Sequence, residues 1–294
     1  MEIQKVGVVG AGLMGSGIVE TAARAGFDVV VREINDNLVQ RGMDRIERSM
    51  NTAVEREKMT ADERDVALGR IRTTTTLETM SDRHIIIEAA IENMDIKKEV
   101  FREMDRITPK HAILVTNSSS LSSTELGSVT TRADKVAGLH FFNPVPVMKL
   151  VEIVRALETS DDTMEALRSF SGHLGKTVVV AKDTPGFIVN ALLIPYMVDA
   201  VTMLENGIAT REDIDTAIQL GLGHPMGPLT LLDFVGLDTT LYIADIMYDE
   251  FKDPKYAAPP LLRKMVASGM MGRKSGRGFY DYRPKTEEPA GTAS

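Results

Sequence analysis

The apolar run VGVV at 6–9 passes without a break into Gly10-Ala-Gly12-Leu13-Met14-Gly15. No other feature of the chain restricts its fold as tightly. A helical pattern over 13–25 follows, Gly26 stops it, and a second apolar run occupies 29–31. Strand, glycine turn, helix and strand in that order make the opening unit of a parallel, dinucleotide-binding sheet. The three glycines serve different ends. Gly10 permits the tight turn, Gly12 lets the backbone approach a pyrophosphate, and Gly15 brings helix and strand together. The helix start, with Leu13 and Met14 in its first turn, offers unpaired amides and a positive dipole to phosphates. Glu33 lies 18 residues after Gly15, near the spacing at which an acid meets ribose hydroxyls. An acid there repels a 2′-phosphate, so NAD is expected rather than NADP. Arg32 beside it is the one contrary charge.

A second stretch, HFFNPVPVMKLVE at 140–152, carries the candidate chemistry. VAGL at 136–139 reads as a buried strand that His140 closes, and ligands of open α/β sheets gather at the carboxyl ends of strands. The two prolines of Asn143-Pro-Val-Pro146 end the pairing. A further strand over 148–154 would put Met148, Leu150, Glu152 and Val154 on one face. A carboxylate in such an apolar stripe needs a partner, and His140 is the nearest along the chain. A core histidine beside an edge glutamate would look the same, and these residues alone leave both readings open.

The rest of the first half supplies more sheet. Apolar positions 38, 43, 46, 50, 53 and 54 recur at helical spacing among charges, followed by a helix over 61–68 that Gly69 stops. This pair is longer than a crossover requires and reads as an inserted helical hairpin, about 36–69. Its charges form a solvated face, or Ser49 and Arg56 reach a phosphorylated ligand. HIIIE at 84–88 is a buried strand, and Glu88 to Asn93 stand at its carboxyl end, facing the expected nucleotide cleft. A helix over 95–107, a strand over 112–115 and the hydroxyl run Thr116-Asn-Ser-Ser-Ser120 follow, with Ser122 or Ser123 as the next helix cap. A helix over 163–174 and a strand over 177–180 complete this part. Asp183-Thr-Pro-Gly186 marks a boundary. Beyond it the pattern is helical: a stripe of Phe187, Asn190, Ala191 and Ile194, a helix kinked at Pro195, one over 212–220 stopped at Gly221, a long one over 229–247, and one over 261–267. A basic glycine-rich loop fills 272–280.

The chain of 294 residues thus divides into a dinucleotide-binding part, 1–183, a helical part, 187–282, and a polar tail, 283–294, expected to be disordered. The net charge of −8 argues against nucleic acid as a partner. There is no cysteine, and the five histidines include no i, i+4 pair, so no metal is expected. No stretch approaches the ~20 apolar residues of a membrane span, and MEIQKVGVVG has no signal-peptide anatomy, so a cytoplasmic protein is expected.

Together these stretches carry a family likeness. The chain resembles the short-chain L-3-hydroxyacyl-CoA dehydrogenases over 6–282, through GAGLMGSGI (10–18), IEAAIEN (87–93), TNSSSL (116–121), GLHFFNPVPVMKLVE (138–152), KDTPGFIVN (182–190), HPMGP (224–228), VGLDTT (235–240) and GRKSGRGFYDY (272–282). The resemblance implies a Rossmann-type α/β domain with a helical hairpin insertion, then an all-α domain that forms a homodimer. It makes His140 the general base, Glu152 the group that orients its imidazole, Ser119 a ligand of the substrate oxygen and Asn190 a residue positioning the reacting end. It assigns Glu33, Glu92, Lys97, Ser119, Asn143 and Lys274 to NAD, and Ser49 and Arg56 to CoA. The family commonly has Asp at 33 and Lys at 56. Glu33 and Arg56 keep the charges with different geometry. The implied reaction is reversible, NAD-dependent oxidation of a short (S)-3-hydroxyacyl-CoA. The alternatives are a relative acting on a hydroxyacyl-carrier protein or hydroxy sugar acid, or a non-catalytic NAD-binding protein.

Overall fold

In the computed structural model, which describes residues 3–284, the chain separates into two units, 1–187 and 188–294. The tail from 285 onward, where disorder is expected, lies outside the described residues.

The first unit is a Rossmann-type α/β domain. It runs β1 (Lys5–Val9), α1 (Leu13–Arg24), β2 (Asp28–Arg32), α2 (Asp36–Glu55), α3 (Ala61–Leu68), β3 (Ile71–Thr74), β4 (Ile85–Glu88), α4 (Met94–Ile107), β5 (Ile113–Thr116), α5 (Ser123–Gly127), β6 (Val136–Phe141), β7 (Leu150–Arg155), α6 (Asp161–His173) and β8 (Thr177–Lys182). The eight strands form one sheet in the order β3-β2-β1-β4-β5-β6-β7-β8. All neighbours are parallel except β6 and β7, which run antiparallel. Successive strand residues feed opposite cores, as the pleat requires. Val29, Ile85, Ile87, Ala137 and Leu139 join α1, α2 and α6 on one side. Val30, Ile86, Leu114 and Val136 join α4 and α5 on the other. Covering both faces explains why these strands read as unbroken apolar runs.

The hairpin is α2 and α3. Asn35 caps the first, and Thr60 with Glu63 forms a reciprocal capping box on the second. Ile46 and Met50 of α2 are buried against the α1 side of the sheet.

Several boundaries differ from the sequence reading. Strand β3 is absent from that reading, because IRTT at 71–74 has no apolar alternation and no residue of the strand is fully buried. The expected strand over 148–154 begins at Leu150. Met148 remains in the preceding loop, where its carbonyl and that of Val145 accept hydrogen bonds from Lys176 Nζ (2.8 and 2.6 Å).

Among its described residues the second unit is mainly helical: α7 (Val189–Glu205), α8 (Arg211–Leu222), α9 (Pro228–Val235), α10 (Leu237–Phe251) and α11 (Pro260–Ala267), with isolated β-bridges from Arg277 to Gly272 and Asp281. Phe187 does not belong to α7, since its φ of 47° lies outside the helical region and Ile188 is the N-cap. The stripe expected from 187 therefore starts before its helix does. Helix α8 runs past Gly221 and ends at Gly223, which takes the left-handed conformation that favours glycine. The single helix expected over 229–247 is two. Gly236, at φ 104°, breaks it after Val235.

Candidate active site

Within the glycine turn, Gly10 sits at φ +99°, open to glycine alone without strain. A side chain on Gly15 would place its Cβ 1.9 Å from the Gly10 carbonyl oxygen, whereas Gly12 faces open space. Helices α2 to α6 of this unit are all capped by a side chain, but α1 is not. Its first amides, from Leu13 onward, are left for a ligand, which is the donor set a pyrophosphate needs.

Glu33 lies just past β2. Its Oε1 accepts the Ala11 amide at 2.7 Å and its Oε2 the Ile34 amide at 3.1 Å. The carboxylate thus braces the glycine turn itself. Arg32 points its Nε to the Thr75 carbonyl at 3.3 Å, so the contrary charge is engaged by backbone.

His140 and Glu152 stand directly opposite one another in the antiparallel β6–β7 pair. Their shared face is the one away from α1, since Leu139 and Ile153 point to the α1 core. His140 Nδ1 lies 2.7 Å from Glu152 Oε2, with the carboxylate fully buried and the imidazole 7% exposed. A carboxylate on Nδ1 holds the proton there and leaves Nε2 as the accepting nitrogen. The rings of Phe142 and Phe187, at 4.6 and 5.5 Å between centroids, pack the imidazole. Asn117 Oδ1 accepts the Phe141 amide at 3.0 Å, tying the end of β5 to that of β6. Gly138 is required here, because a Cβ would meet Val154 and the Ser123 hydroxyl at 2.7 and 2.9 Å.

The loops after β4 and β5 follow from adjacent parallel strands and meet at their carboxyl ends. Lys97 is turned inward, 1% exposed, onto Glu88 Oε1 (2.7 Å) and Glu92 Oε2 (3.2 Å). Both Ser118 and Ser120 donate to Glu92 Oε1. Ser119 lies between them, half-buried.

Ser49 and Arg56 are exposed, in the last two turns and at the C-cap of α2. Ser49 stands beside Glu20, whose carboxyl burial pushes up, against the pull of Ser49 and Arg24. Arg45, Ser49, Glu20 and Leu13 line a hollow of about 250 Å³ that also touches Asn143, Pro144 and Pro146. One concavity therefore joins the hairpin, the glycine turn and the loop after His140.

In the helical unit, Asn190 occupies the first turn of α7. Lys274 is on the 3-10 turn Arg273–Ser275, where its ammonium pairs with Asp238 at 2.5 Å. Asp233 accepts the amides of Phe279 and Tyr280 and the Tyr282 hydroxyl, so the basic loop is pinned at its base.

Sequence reasoning missed Glu20, Glu88 and Thr116 as members of these clusters. The available signal was a carboxylate closing the apolar run IIIE, and another inside the helix that packs on the sheet.

Comparison with known proteins decides what this arrangement belongs to. The model of the 3-hydroxyacyl-CoA dehydrogenase NAD binding domain matches residues 5–184, and that of the C-terminal domain matches 186–282. The chain is a member of the 3-hydroxyacyl-CoA dehydrogenase family. The 3-hydroxybutyryl-CoA dehydrogenase of Mycobacterium tuberculosis is 51% identical over 95% of this chain and 99% of its own. Human mitochondrial hydroxyacyl-coenzyme A dehydrogenase is 43% identical, covering 96% and 92%. The crystal structure of (S)-3-hydroxybutyryl-CoA dehydrogenase PaaH1 from Ralstonia eutropha superposes with a TM-score of 0.92 at 44% identity, over 96% and 100% of the two chains. The enzyme is an NAD-dependent oxidoreductase. Among its described residues, no helix is long and apolar enough to cross a membrane.

Proposed function

We propose that the enzyme oxidises a short-chain (S)-3-hydroxyacyl-CoA, such as 3-hydroxybutyryl-CoA, reversibly to the 3-ketoacyl-CoA. The observation that carries this reading is the buried His140–Glu152 pair at the carboxyl end of β6, with Nε2 left to accept a proton. NAD bound there would supply the acceptor for the hydride of C3. His140 Nε2 takes the proton of the 3-hydroxyl, and Glu152 stabilises the imidazolium that results. The Ser119 hydroxyl hydrogen-bonds the substrate oxygen, and Asn190, assigned by the family match, positions the reacting end. Gly10, Gly12, Leu13, Met14 and Gly15 receive the pyrophosphate, and Glu33 the adenosine ribose. Glu92, Asn143 and Lys274 are assigned to the rest of NAD, and Lys97 serves through Glu92. Ser49 and Arg56 hold the CoA handle, whose arm follows the hollow toward Asn143.

The helical unit is assigned to homodimerisation and the substrate, and the cytoplasm, whose reducing conditions suit a chain without cysteine, is its compartment. The decisive assay follows nicotinamide absorbance with NADH and acetoacetyl-CoA, beside the same acyl group on carrier protein and a keto sugar acid. Turnover of acetoacetyl-CoA is expected to dominate. Preference for either other substrate would overturn the CoA assignment, and NADH binding with no turnover of any of the three would place the substrate outside these classes.

A further inference from the structure

The carboxyl ends of β4 and β5 carry a ring of polar side chains that the histidine pair does not use. Glu88 closes β4 with a fully buried carboxylate. Its Oε1 accepts the Lys97 ammonium and the Ala90 amide, each at 2.7 Å, and its Oε2 accepts the Thr116 hydroxyl at 2.7 Å. Having given its proton to Glu88, the Thr116 hydroxyl accepts the Ser118 amide at 3.1 Å. Lys97 reaches on to Glu92, and Glu92 Oε1 gathers the hydroxyls of Ser118 and Ser120. The Ser118 oxygen accepts the Leu121 amide at 3.0 Å. Glu88, Lys97, Glu92, Ser118 and Thr116 therefore form a closed circuit.

Strand pairing does not require this circuit. The Ala89 amide already donates to the Val9 carbonyl and the Asn117 amide to the Glu88 carbonyl, each at 2.8 Å. A buried ion pair also adds little over well-packed apolar residues of the same volume. What the circuit does fix is the backbone on both sides of Ser119. Residues 118, 120 and 121 are each held by it, while among the described residues Ser119 alone of the three serines has a hydroxyl with no protein partner.

We propose that Glu88 is a positioning residue for Ser119, acting through the Thr116 hydroxyl on one side and through Lys97 and Glu92 on the other. The circuit aims a free serine hydroxyl and occupies the side chains of its neighbours. This inference rests on the proposed role of Ser119 toward the substrate oxygen, and the test separates the two.

The experiment is a double-variant cycle on the full-length enzyme with NADH and acetoacetyl-CoA. Ser119→Ala should lower kcat. Thr116→Val, which keeps the shape but breaks both of its bonds, should lower kcat roughly 10- to 100-fold, the scale of a misplacement near 1 Å. Its KM for NADH should change much less. Thr116→Ser should restore most of the rate. In the Ser119→Ala background, Thr116→Val should then cost nothing further. Multiplied losses in the double variant, or a normal kcat in Thr116→Val, would overturn the positioning role while leaving Ser119 in place. A normal kcat in Ser119→Ala would instead remove Ser119 from the mechanism, and this proposal with it. Should Thr116→Val not fold by circular dichroism, Glu88→Gln, which keeps shape and loses charge, enters the same cycle with the same outcomes.

Discussion

A single short contact, His140 Nδ1 to Glu152 Oε2, gives the site its directionality. Replacing His140 by Gln should lower kcat by roughly 10²–10⁴-fold, the usual worth of a positioned acid–base, while the dissociation constant for NADH stays nearly unchanged. Glu152→Gln should lower kcat also, and the double variant should be hardly worse than His140→Gln. Multiplied losses, or near-normal turnover in folded His140→Gln, would shift the proton transfer elsewhere. Glu33 braces the Ala11 amide, and the proposed contact with the ribose would be its second duty. Glu33→Ala should therefore weaken NAD without creating affinity for NADP, narrowing the preference from one side only. Comparable kcat/KM for NADH and NADPH in the unaltered enzyme would sink the assignment. Both acids stand out in the sequence as candidates, Glu33 by its spacing from Gly15 and Glu152 by its parity along an apolar run. Glu88 is legible only as a carboxylate closing an apolar run, because such a residue reads the same whether it meets water or a lysine, a threonine and an amide.

Element by element, spacing and caps locate most of the chain, and failures cluster where tertiary contacts outrank local preference. Strand β3 survives on pairing with β2 despite a sequence of Thr and Arg, and Gly236 divides a run whose apolar period continues through it. The direction of β7 is equally hidden, since period-two patterning is blind to strand polarity. At the hairpin, Arg56→Ala should raise KM for acetoacetyl-CoA and have a much smaller effect on a pantetheine thioester lacking the phosphates. Equal effects would make Arg56 part of a solvated face, as exposed arginines commonly are. Between α1 and α2, burial holds the Glu20 carboxyl above its ordinary value of 4.5. The folded state then binds that proton more tightly than the unfolded state, so stability falls as pH rises from the ordinary value through the raised one. Above the raised value the penalty is complete. Glu20→Gln should raise Tm at pH 7 and lose the advantage below the ordinary value, where both states carry the proton. A pH-independent difference in Tm would refute this.

For the whole molecule, the helical unit leaves Leu220 82%, Ile208 67% and Leu222 64% exposed. Leu220 and Leu222 lie together in the last turn of α8, and adjacent exposed apolar side chains of this size suit the proposed interface between copies of the chain. Sedimentation should give the mass of a dimer, and Leu220→Asp with Leu222→Asp should shift it toward the monomer with the helical content intact. A monomer in the unaltered protein at micromolar concentration would end the proposal. The division into two units is marked by Asp183-Thr-Pro-Gly186, because proline and glycine interrupt a pattern wherever they fall.

The antiparallel turn from β6 to β7 has an arithmetic consequence for what the gene can tolerate. Because His140 and Glu152 are opposed in register, sliding either strand by one residue brings Val151 or Ile153 opposite the histidine and sends the carboxylate to the far face. A deletion of one codon inside either strand is therefore a loss of chemistry, whereas codons added between 143 and 148 leave the pairing untouched. Length variation in descendants of this chain should therefore be absent from both strands, and rare in the loop between them, where Val145 is buried and Lys176 holds the carbonyls of Val145 and Met148.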